Sequence, residues 1–405
     1  MAAESRSSRL FRPGNGIGCE VLESILGSKP TRRLRLTLAA LFFGLLKTRP
    51  VTGNPFELCG PSAKILVIRQ QNQMGDMLLA TPCLRALRES LPKSWITLLA
   101  SHENEAVVRN NPYVNEVLVY DKRAFRRNPL VLVRFIRELR KRGFDVSVVL
   151  STVSLSVTSA VLCLVSAARY RLSYSGKSYG LGFVDRVFHV TVPLVDDGAH
   201  QTKLGLRLLE AFGVGTDDLS PIMEPSKEDT EFAQEFMSRS SLQSSSLHAE
   251  SRGVVVAIHP GAGKAKNRWP APRFAHIANN FHKKQGIQIV VIGGPSDSEV
   301  IGAMLKGLEF APAVLTEESI GRVAAVMKRL SLLICNDTGV LHVAAAVGCP
   351  TLALFGPTDP LRWAPLADCV KTLRASGTEI CELKEEAVLA LAMELISSKG
   401  ETRAH

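Results

Sequence analysis

The stretch VIRQQNQMGDMLLATP, residues 67–82, decides the fold of this chain. Its first residues complete an apolar strand, and an apolar helix is predicted over Met77–Ser90. Ligands of parallel α/β sheets collect at such strand-to-helix turns, and a glycine lets the backbone come close to them. The turn holds Gly75 and Asp76, the one acidic residue of the stretch. The stretch therefore predicts an α/β sheet with a candidate site at its opening turn.

Asp76 has two interpretations on position alone. An aspartate at a helix start is a common N-cap, because its carboxylate accepts backbone N–H groups and favours the helix dipole. The sharper alternative is a general base that faces a ligand cleft and removes a proton from an attacking hydroxyl. The roles are not exclusive, but a base needs a carboxylate oxygen that the helix does not occupy.

Strand–helix alternation continues outward from this turn in two blocks. The first block includes the strands WITLLAS and DVSVVLS, and the second runs from GVVVAIHPG to PTLALFGP. Residues 217–252 between them are acidic and rich in serine, which is typical of a linker with one short helix. Two consecutive α/β domains predict a ligand cleft between the carboxyl ends of two sheets.

Composition favours a globular protein with anionic partners. The 405 residues are 46% hydrophobic and 21% charged, with a formal net charge of +11. Nucleic acid is not expected as a partner, since the chain has no zinc-finger spacing, basic repeat or aromatic RNA-binding signature. The eight cysteines form no CxxC pair, which predicts reduced thiols in a cytoplasmic protein.

Three segments bear on membrane contact. Residues 146–168 carry no charge but hold eight Ser or Thr residues, which favours a buried strand and helix over a membrane span. The segment LTLAALFFGLL, residues 36–46, is flanked by basic residues and is too short to cross a bilayer. It is either an interfacial helix or a helix packed on the protein's own surface. The basic helix predicted over Leu130–Arg142 either faces an anionic membrane or is simply solvated. The first thirty residues are expected to lack regular structure.

The second candidate turn is HPGAGKAKNRWP, residues 259–270. Two glycines follow a strand, and Lys264, Lys266 and Arg268 come next. Glycine-rich backbone with nearby cations is suited to binding phosphates, although a solvated basic loop is the alternative. The turn is neither a Walker loop nor a G-x-G-x-x-G fingerprint, so a dinucleotide oxidoreductase is not favoured.

The third candidate turn is ICNDTGVLHVAAA, residues 334–346. A buried strand ends here and an apolar helix begins, so the backbone N–H groups of Thr338 and Gly339 are expected to bind a pyrophosphate. His342 lies in the same first turn and is either a ligand contact or a core histidine. Thr358 adds a candidate hydroxyl contact. No D-x-D or H-E-x-x-H motif is present, so no metal or other cofactor is expected.

Taken together, these turns resemble glycosyltransferase family 9, the bacterial lipopolysaccharide heptosyltransferases. The resemblance covers about residues 64–365. It rests on ILVIRQQNQMGDMLLATPCLRALRESLP (65–92), HPGAGKAKNRWPAPRFAHIAN (259–279), VVIGGPSD (290–297) and LLICNDTGVLHVAAAVGCPTLALFGPTDPLRW (332–363).

The resemblance implies a GT-B fold, with two Rossmann-like doubly wound domains facing across a cleft. It also implies an inverting, metal-independent transfer from ADP-heptose to a lipid A–core acceptor at the inner face of the cytoplasmic membrane. The expected divisions are an N-terminal extension (1–60), an acceptor domain (61–215), a linker (216–252), a nucleotide-sugar domain (253–382) and a C-terminal helix and tail (383–405).

The resemblance also assigns roles to residues. Asp76, with Gly75 beside it, matches the family's catalytic base. The other matching positions are nucleotide-sugar contacts, at Asp337, Thr338, Gly339 and His342, and phosphate-loop residues, at Gly261 and Ala262.

One position departs from the family pattern. Many members have a lysine two residues before the tryptophan of the phosphate loop, and this chain has Asn267 there. Lys264, Lys266 or Arg268 is expected to take its role, unless the donor differs.

Two rival functions remain open on sequence alone. One is a related transferase that uses another nucleotide sugar or another surface glycan. The other is a non-catalytic binder of nucleotide sugars or anionic glycolipid, tethered by residues 36–46. A pure binder has no need of a carboxylate at Asp76.

Overall fold

The computed structural model describes residues 32–46, 48–71, 73–240, 242, 253–284 and 287–401. These residues form two compact units. The first unit contains the described residues up to 70 together with 93–99 and 120–195, and the second contains 71–92, 100–119 and the residues from 196 onward. The prediction for the first thirty residues falls outside the described residues.

The N-terminal half of the chain builds a six-stranded parallel sheet. Its strands are β1 (Lys64–Arg69), β2 (Trp95–Ser101), β3 (Glu116–Tyr120), β4 (Val146–Val149), β5 (Tyr170–Tyr174) and β6 (Val190–Val192). Their order is β3-β2-β1-β4-β5-β6. The helices of this half are α1 (Arg32–Gly44), α2 (Pro55–Cys59), α3 (Met74–Leu78), α4 (Thr81–Ser90), α5 (Glu105–Val108), α6 (Lys122–Arg127), α7 (Pro129–Lys141), α8 (Val157–Val165) and α9 (Gln201–Glu210).

The C-terminal half repeats this topology. Its strands are β7 (Val254–His259), β8 (Ile287–Gly293), β9 (Ala313–Thr316), β10 (Leu332–Asn336), β11 (Thr351–Phe355) and β12 (Val370–Arg374). Their order is β12-β11-β10-β7-β8-β9. The helices are α10 (Lys227–Arg239), α11 (Ala271–His282), α12 (Ser298–Leu305), α13 (Ile320–Met327), α14 (Gly339–Ala346), α15 (Pro360–Trp363) and α16 (Glu385–Glu401).

Both sheets are doubly wound, as the sequence predicts. The strands are parallel and the central ones are buried along nearly their whole length, because helices cover both faces. The strand order reverses between β1 and β4 in one sheet and between β7 and β10 in the other. Ligands bind beyond the carboxyl ends of the strands at such reversals. The three candidate turns follow β1, β7 and β10, which are three of these four strands.

The sequence does not predict three of the strands, and all three lie at sheet edges. They are β6, β9 and β12, whose side chains are mostly half-buried or exposed. An edge strand has one neighbour and less burial, so its sequence lacks the continuous apolar run of a central strand.

The predicted helix over Met77–Ser90 is also two helices. α3 ends at Leu78 and α4 begins at Thr81, with Pro82 in its first turn. Proline has no backbone N–H and clashes with the preceding turn, so one continuous helix cannot pass through it. The Thr81 hydroxyl instead donates to the Leu78 carbonyl over 2.7 Å.

Several contacts place α3 and α4 in the second unit. The Thr202 hydroxyl donates to the Leu79 carbonyl over 3.0 Å. The buried Arg85 guanidinium donates to the Ser220 carbonyl over 3.0 Å and contacts the Asp218 carboxylate. The Gly75–Asp76 turn therefore belongs with the C-terminal sheet. The domain divisions expected from sequence stay a prediction.

α1 contains most of the segment predicted as a short apolar helix. Phe43 is buried, and its ring stacks on Phe183 at 6.1 Å between centroids. The helix thus packs on the protein by one face, whereas several of its other apolar side chains are exposed. No helix in the described ranges is long and apolar enough to span a bilayer.

Candidate active site

Asn336, the last residue of β10, fixes the loop that follows β7. Its carboxamide nitrogen donates to the carbonyls of Pro260 and Gly261 over 2.9 and 3.1 Å. Its carboxamide oxygen accepts the Trp269 backbone N–H over 3.0 Å. The side chain is completely buried, so these bonds hold both ends of the loop at low dielectric. The sequence alone predicts no role for Asn336.

Asn267 lies inside this loop and faces the third turn. It is 7% exposed, and its Nδ2 donates to Asp337 Oδ2 over 3.1 Å and to Thr358 Oγ1 over 3.2 Å. The Thr358 hydroxyl in turn bonds to the Asp337 carboxylate. The three side chains form a closed polar cluster. Asn267, which the resemblance aligns with a lysine of other family members, therefore bonds to the aspartate of the third turn.

The Asp337 carboxyl is buried in this cluster without enough positive charge around it. Burial raises the pKa of its carboxyl above the ordinary value, and the Thr358 hydrogen bond and the Lys264 charge only partly offset that effect. An amide donor such as Asn267 supplies no positive charge. The folded chain thus keeps a poorly compensated carboxylate at the C-terminal end of β10.

The three predicted cations of the loop have different surroundings. The Arg268 Nε donates to the Ala262 carbonyl over 2.8 Å, so its side chain folds back onto the loop. Lys264 and Lys266 are exposed, and neither forms an ion pair within the described residues. Of the candidates for the missing lysine, these two keep their ammonium groups available for an anion.

Gly261 is required by close packing rather than by backbone conformation. A Cβ atom at this position would overlap the Asp297 carboxylate. Asp297 accepts the Gly294 N–H over 2.9 Å and lies 3.4 Å from Nε2 of the buried His259. The bond to His259 lowers the pKa of Asp297, so this carboxyl is anionic. The sequence alone predicts no role for Asp297 or His259, although Asp297 stands in the VVIGGPSD motif.

The start of α14 lacks a side-chain cap. Thr338 is the N-cap residue, but its side chain makes no cap hydrogen bond. The first N–H groups of α14 are therefore not satisfied by a cap and are suited to an anion. Gly339 allows the Met74 side chain of α3 to pack closely against the start of α14, since a Cβ atom at this position would lie 2.9 Å from Cε of Met74.

His342 is buried against α3 and does not extend into open space from the first turn of α14. A Cβ atom on Gly75 would lie 2.6 Å from Cδ2 of the imidazole. Burial lowers the pKa of His342 to about 4, and the nearby His200 contributes in the same direction. The ring is therefore neutral at physiological pH. Its Nδ1 has no hydrogen-bond partner in the described chain.

His200, at the start of α9, supports this arrangement from another side. Its Nδ1 accepts the Thr202 N–H over 3.1 Å, which assigns the ring proton to Nε2. Nε2 then donates to the Ala364 carbonyl over 2.7 Å. Burial lowers the pKa of His200 as well, so His200 and His342 form a buried pair of neutral histidines.

Asp76 is not the N-cap of α3, which corrects one of the two interpretations. The N-cap position is Gln73, whose side chain makes no cap hydrogen bond, and Asp76 is the third residue of the helix. The Asp76 side chain is partly buried. The next residue toward the N-terminus, Gly75, contacts His342, so Asp76 and the α14 start lie in one packed region of the second unit.

The structure thus brings together most of the predicted residues. Asn267, Asp337 and Thr358 are hydrogen-bonded, and Gly75, Gly339 and His342 pack at the α3–α14 contact. Arg268 and Gly261 have packing roles within the loop. No group of three His, Cys, Asp or Glu side chains suited to a metal ion occurs in the ranges that the structure describes.

Comparison with known proteins decides the family. The model of glycosyltransferase family 9 (heptosyltransferase) matches residues 132–391, more than half of the chain. This chain belongs to glycosyltransferase family 9. It is therefore a glycosyltransferase, and the non-catalytic binder is disfavoured. The matched range begins after β3, so the Asp76 turn lies outside it.

Individual proteins similar to this chain agree with this assignment. Lipopolysaccharide heptosyltransferase 3 of Escherichia coli is 25% identical over 297 residues, which cover 72% of this chain and 83% of the relative. A family 9 glycosyltransferase from Veillonella parvula has a TM-score of 0.73 at 28% identity, covering 83% of this chain and 97% of the other.

A third protein shares the fold. E. coli heptosyltransferase WaaC, solved with ADP-2-deoxy-2-fluoro heptose, has a TM-score of 0.62 at 19% identity, covering 82% of this chain and 99% of WaaC. The predicted GT-B class, with two doubly wound α/β sheets, is confirmed.

The contact between Gly75 and His342 gives a first test of this family 9 site. Gly75→Ala would place a methyl group 2.6 Å from the imidazole, so either α3 or the His342 ring must shift. Since misplacement of about 1 Å can cost about a hundredfold in rate, kcat/KM should fall by about tenfold or more, together with Tm. Gly302→Ala is the matched control, because nothing lies within 4 Å of a Cβ there and alanine favours the helix. Equal kcat/KM and Tm in Gly75→Ala and wild type would show that the contact is not tight.

The raised pKa of Asp337 gives a second test, of stability against pH. A raised pKa means that the folded chain binds the proton more tightly than the unfolded chain does. The protonated Asp337 therefore adds to the free energy of unfolding at low pH. That contribution is lost as pH rises from the ordinary value of 3.8 through the raised pKa. Asp337→Asn removes the buried charge and should therefore raise Tm at pH 8 and raise it less at pH 4.

Asp297→Asn should show the opposite behaviour. The pKa of Asp297 is lowered, so the ionised carboxylate adds to the free energy of unfolding at pH 8. This contribution is lost as pH falls below 3.8. Asp297→Asn should lower Tm at pH 8 and lower it less at pH 3. Thermal melts of Asp337→Asn at pH 8 and pH 4, and of Asp297→Asn at pH 8 and pH 3, make the comparison. A Tm of Asp337→Asn below wild type at pH 8 would contradict the charge argument.

Proposed function

We propose that this family 9 enzyme moves a heptose from ADP-heptose to a lipopolysaccharide core acceptor, with inversion at the anomeric carbon and without a metal ion. The observation that carries the proposal is the packing of α3 on the start of α14 through Gly75 and His342. This contact supports the proposal, because Asp76 is in the same short helix as Gly75 and the uncapped start of α14 is suited to bind a diphosphate.

In the proposed reaction, Asp76 removes the proton of an acceptor hydroxyl. The hydroxyl oxygen forms a bond to the anomeric carbon as the bond from that carbon to the diphosphate oxygen breaks. The proton stays on the Asp76 carboxylate, and the nucleoside diphosphate leaves with the electron pair. Attack from the side opposite the leaving group inverts the configuration.

The negative charge that develops on the leaving diphosphate requires donors that are already in place. The uncapped first turn of α14, at Thr338 and Gly339, offers backbone N–H groups. Lys264 and Lys266 offer ammonium groups on an exposed loop whose ends Asn336 fixes. These groups take the role that a divalent cation has in metal-dependent transferases, which is why we propose a metal-independent reaction.

The donor and acceptor are proposed from the relatives. WaaC was solved with an ADP-heptose analogue, and the E. coli relative is named a lipopolysaccharide heptosyltransferase. Asp337 suits the hydroxyl groups of a sugar, because a partly compensated carboxylate gains from hydrogen-bond donors. A lipid-linked acceptor also implies peripheral contact with an anionic membrane, and we propose a location at the inner face of the cytoplasmic membrane.

A donor panel tests the proposal directly. The full chain is incubated with ADP-heptose, ADP-glucose and UDP-sugars, with and without a lipopolysaccharide core acceptor, and in the presence of EDTA. We expect ADP release only with ADP-heptose and acceptor together, unchanged by EDTA, and mass spectrometry should show one added heptose. Release from a different donor would contradict the heptose assignment, and loss of activity in EDTA would contradict metal independence.

Asp76→Asn tests the base. General-base catalysis typically contributes about 10²–10⁴-fold, so turnover should fall by at least about a hundredfold. The affinity for ADP-heptose, measured by calorimetry, should remain near the wild-type value, because the substitution keeps shape and removes only the charge. Asp217→Asn is the matched control, since that side chain is exposed and has no role in the site. Turnover of Asp76→Asn near that of Asp217→Asn would remove Asp76 from the base role.

A further inference from the structure

The outer face of α7 combines apolar and basic side chains. Leu130 is 75% exposed and Val133 is 50% exposed. Arg134 and Arg137, one helical turn further along, are exposed on the same side. The opposite side of the helix holds the buried Leu139. We call Leu130, Val133, Arg134 and Arg137 the α7 outer face.

Charge on this part of the chain is strongly one-signed. Residues 122–141 contain eight Lys or Arg residues and one acidic residue, Glu138, which pairs with Lys141 over 3.3 Å. Neither Arg134 nor Arg137 forms an ion pair within the described ranges. Leu130 and Val133 lie one helical turn apart next to these arginines, so this side of the helix is amphipathic and not uniformly polar.

α1 presents a second apolar face. Leu41 and Phe42 are 64% and 55% exposed, and Leu45, just beyond the helix, is 82% exposed. The buried Phe43 holds the other side of the helix on the protein, and the Arg186 guanidinium donates to the Gly44 carbonyl over 3.1 Å. We call Leu41, Phe42 and Leu45 the α1 outer face.

The two helices are connected through packed elements of the first unit. α1 packs on the segment Gly182–Val187, that segment packs on α8, and α8 packs on α7. α7 and α8 connect β3 to β4 and β4 to β5, which move in the same direction across the sheet. Right-handed crossovers place both helices on the same face of that sheet.

The chemistry of these faces selects one partner. Aliphatic and aromatic side chains suit the acyl boundary of a bilayer, while arginines suit phosphate headgroups and can extend to them along the surface. The charge around α7 has one sign, with eight Lys or Arg residues and one acidic residue in 122–141, which suits a continuously anionic surface. Clustered basic residues bind anionic lipids in preference to neutral ones.

We propose that the α1 and α7 outer faces form one docking surface for a bilayer of anionic phospholipid. Leu41, Phe42, Leu130 and Val133 enter the headgroup region, and Arg134 and Arg137 bind lipid phosphates. The inference deepens the proposed function and rests on it in one respect, since a lipid-linked acceptor would be reached at such a surface.

Vesicle co-sedimentation of the full chain tests the surface. Wild type should sediment with vesicles of phosphatidylcholine and phosphatidylglycerol, and much less with phosphatidylcholine alone. The double variant Arg134→Gln/Arg137→Gln should bind the anionic vesicles about tenfold or more weakly, and added salt should have a smaller effect on it. Leu130→Ser/Val133→Ser and Leu41→Ser/Phe42→Ser should each weaken binding at every salt concentration.

Matched variants outside the surface control for charge and exposure. Lys306→Gln/Lys371→Gln removes two exposed charges, and Val314→Ser removes an exposed aliphatic side chain, both in the second unit. These should sediment as wild type does, with Tm confirming that every variant is folded. Equal sedimentation of wild type with neutral and anionic vesicles, or wild-type binding by all three surface variants, would overturn the proposal.

A second measurement separates this proposal from the enzymatic one. ADP release is followed with a delipidated, water-soluble core oligosaccharide as acceptor. We expect the surface variants to keep wild-type turnover there while they lose turnover on acceptor embedded in anionic vesicles. A loss of turnover on the soluble acceptor would mean that these residues support folding or the site, and would overturn the docking role. Absence of turnover in wild type would instead refute the proposed function and leave the sedimentation result to decide the surface.

Discussion

The buried carboxamide of Asn336 is the contact on which the rest of the site depends. It joins the end of β10 to both ends of the loop after β7, through Pro260, Gly261 and Trp269. Asn267 can reach Asp337 only because that loop is held there. Each of these buried backbone groups would otherwise lack a partner at low dielectric, so the carboxamide has few substitutes. The parallel register of β7 and β10 sets the distance that it spans.

The sequence predicts the centre of each sheet better than its margins. β1, β4, β7 and β10 are continuous apolar runs, because helices cover them on both sides. The edge strands β6, β9 and β12 were missed since partial burial leaves no clear pattern. The break between α3 and α4 had a visible signal in Pro82. Periodicity alone favoured one helix, and the backbone constraint of proline decided otherwise.

The site was predictable as a set of turns but not as a set of contacts. Ligand-binding turns follow from the α/β pattern, and Asp337, Thr338 and Gly339 were assigned with it. Nothing local indicates that Gly75 accommodates a histidine ring or that Gly261 accommodates Asp297, because both neighbours are far away in sequence. Arg268 was interpreted as a ligand cation from its position, but its bond to Ala262 depends on how the loop folds. The VVIGGPSD motif contained the signal for Asp297, and only the structure shows what it contacts.

The incompletely satisfied polar groups of the site indicate which kind of ligand it can bind. Asp337 is a carboxylate short of positive charge, whereas the start of α14 has N–H groups without a cap, and Nδ1 of the neutral His342 has no partner among the described residues. A purely anionic ligand would satisfy the helix start but repel Asp337. A neutral sugar would bond to Asp337 but leave the helix start unsatisfied. A ligand with hydroxyl groups at one end and a diphosphate at the other can bond to Asp337 and to the start of α14 at the same time. The positive charge of Lys264 attracts both the Asp337 carboxylate and the diphosphate. In the proposed reaction, these unsatisfied groups therefore favour binding of the donor, because a nucleotide sugar completes hydrogen bonds that the folded chain does not make by itself.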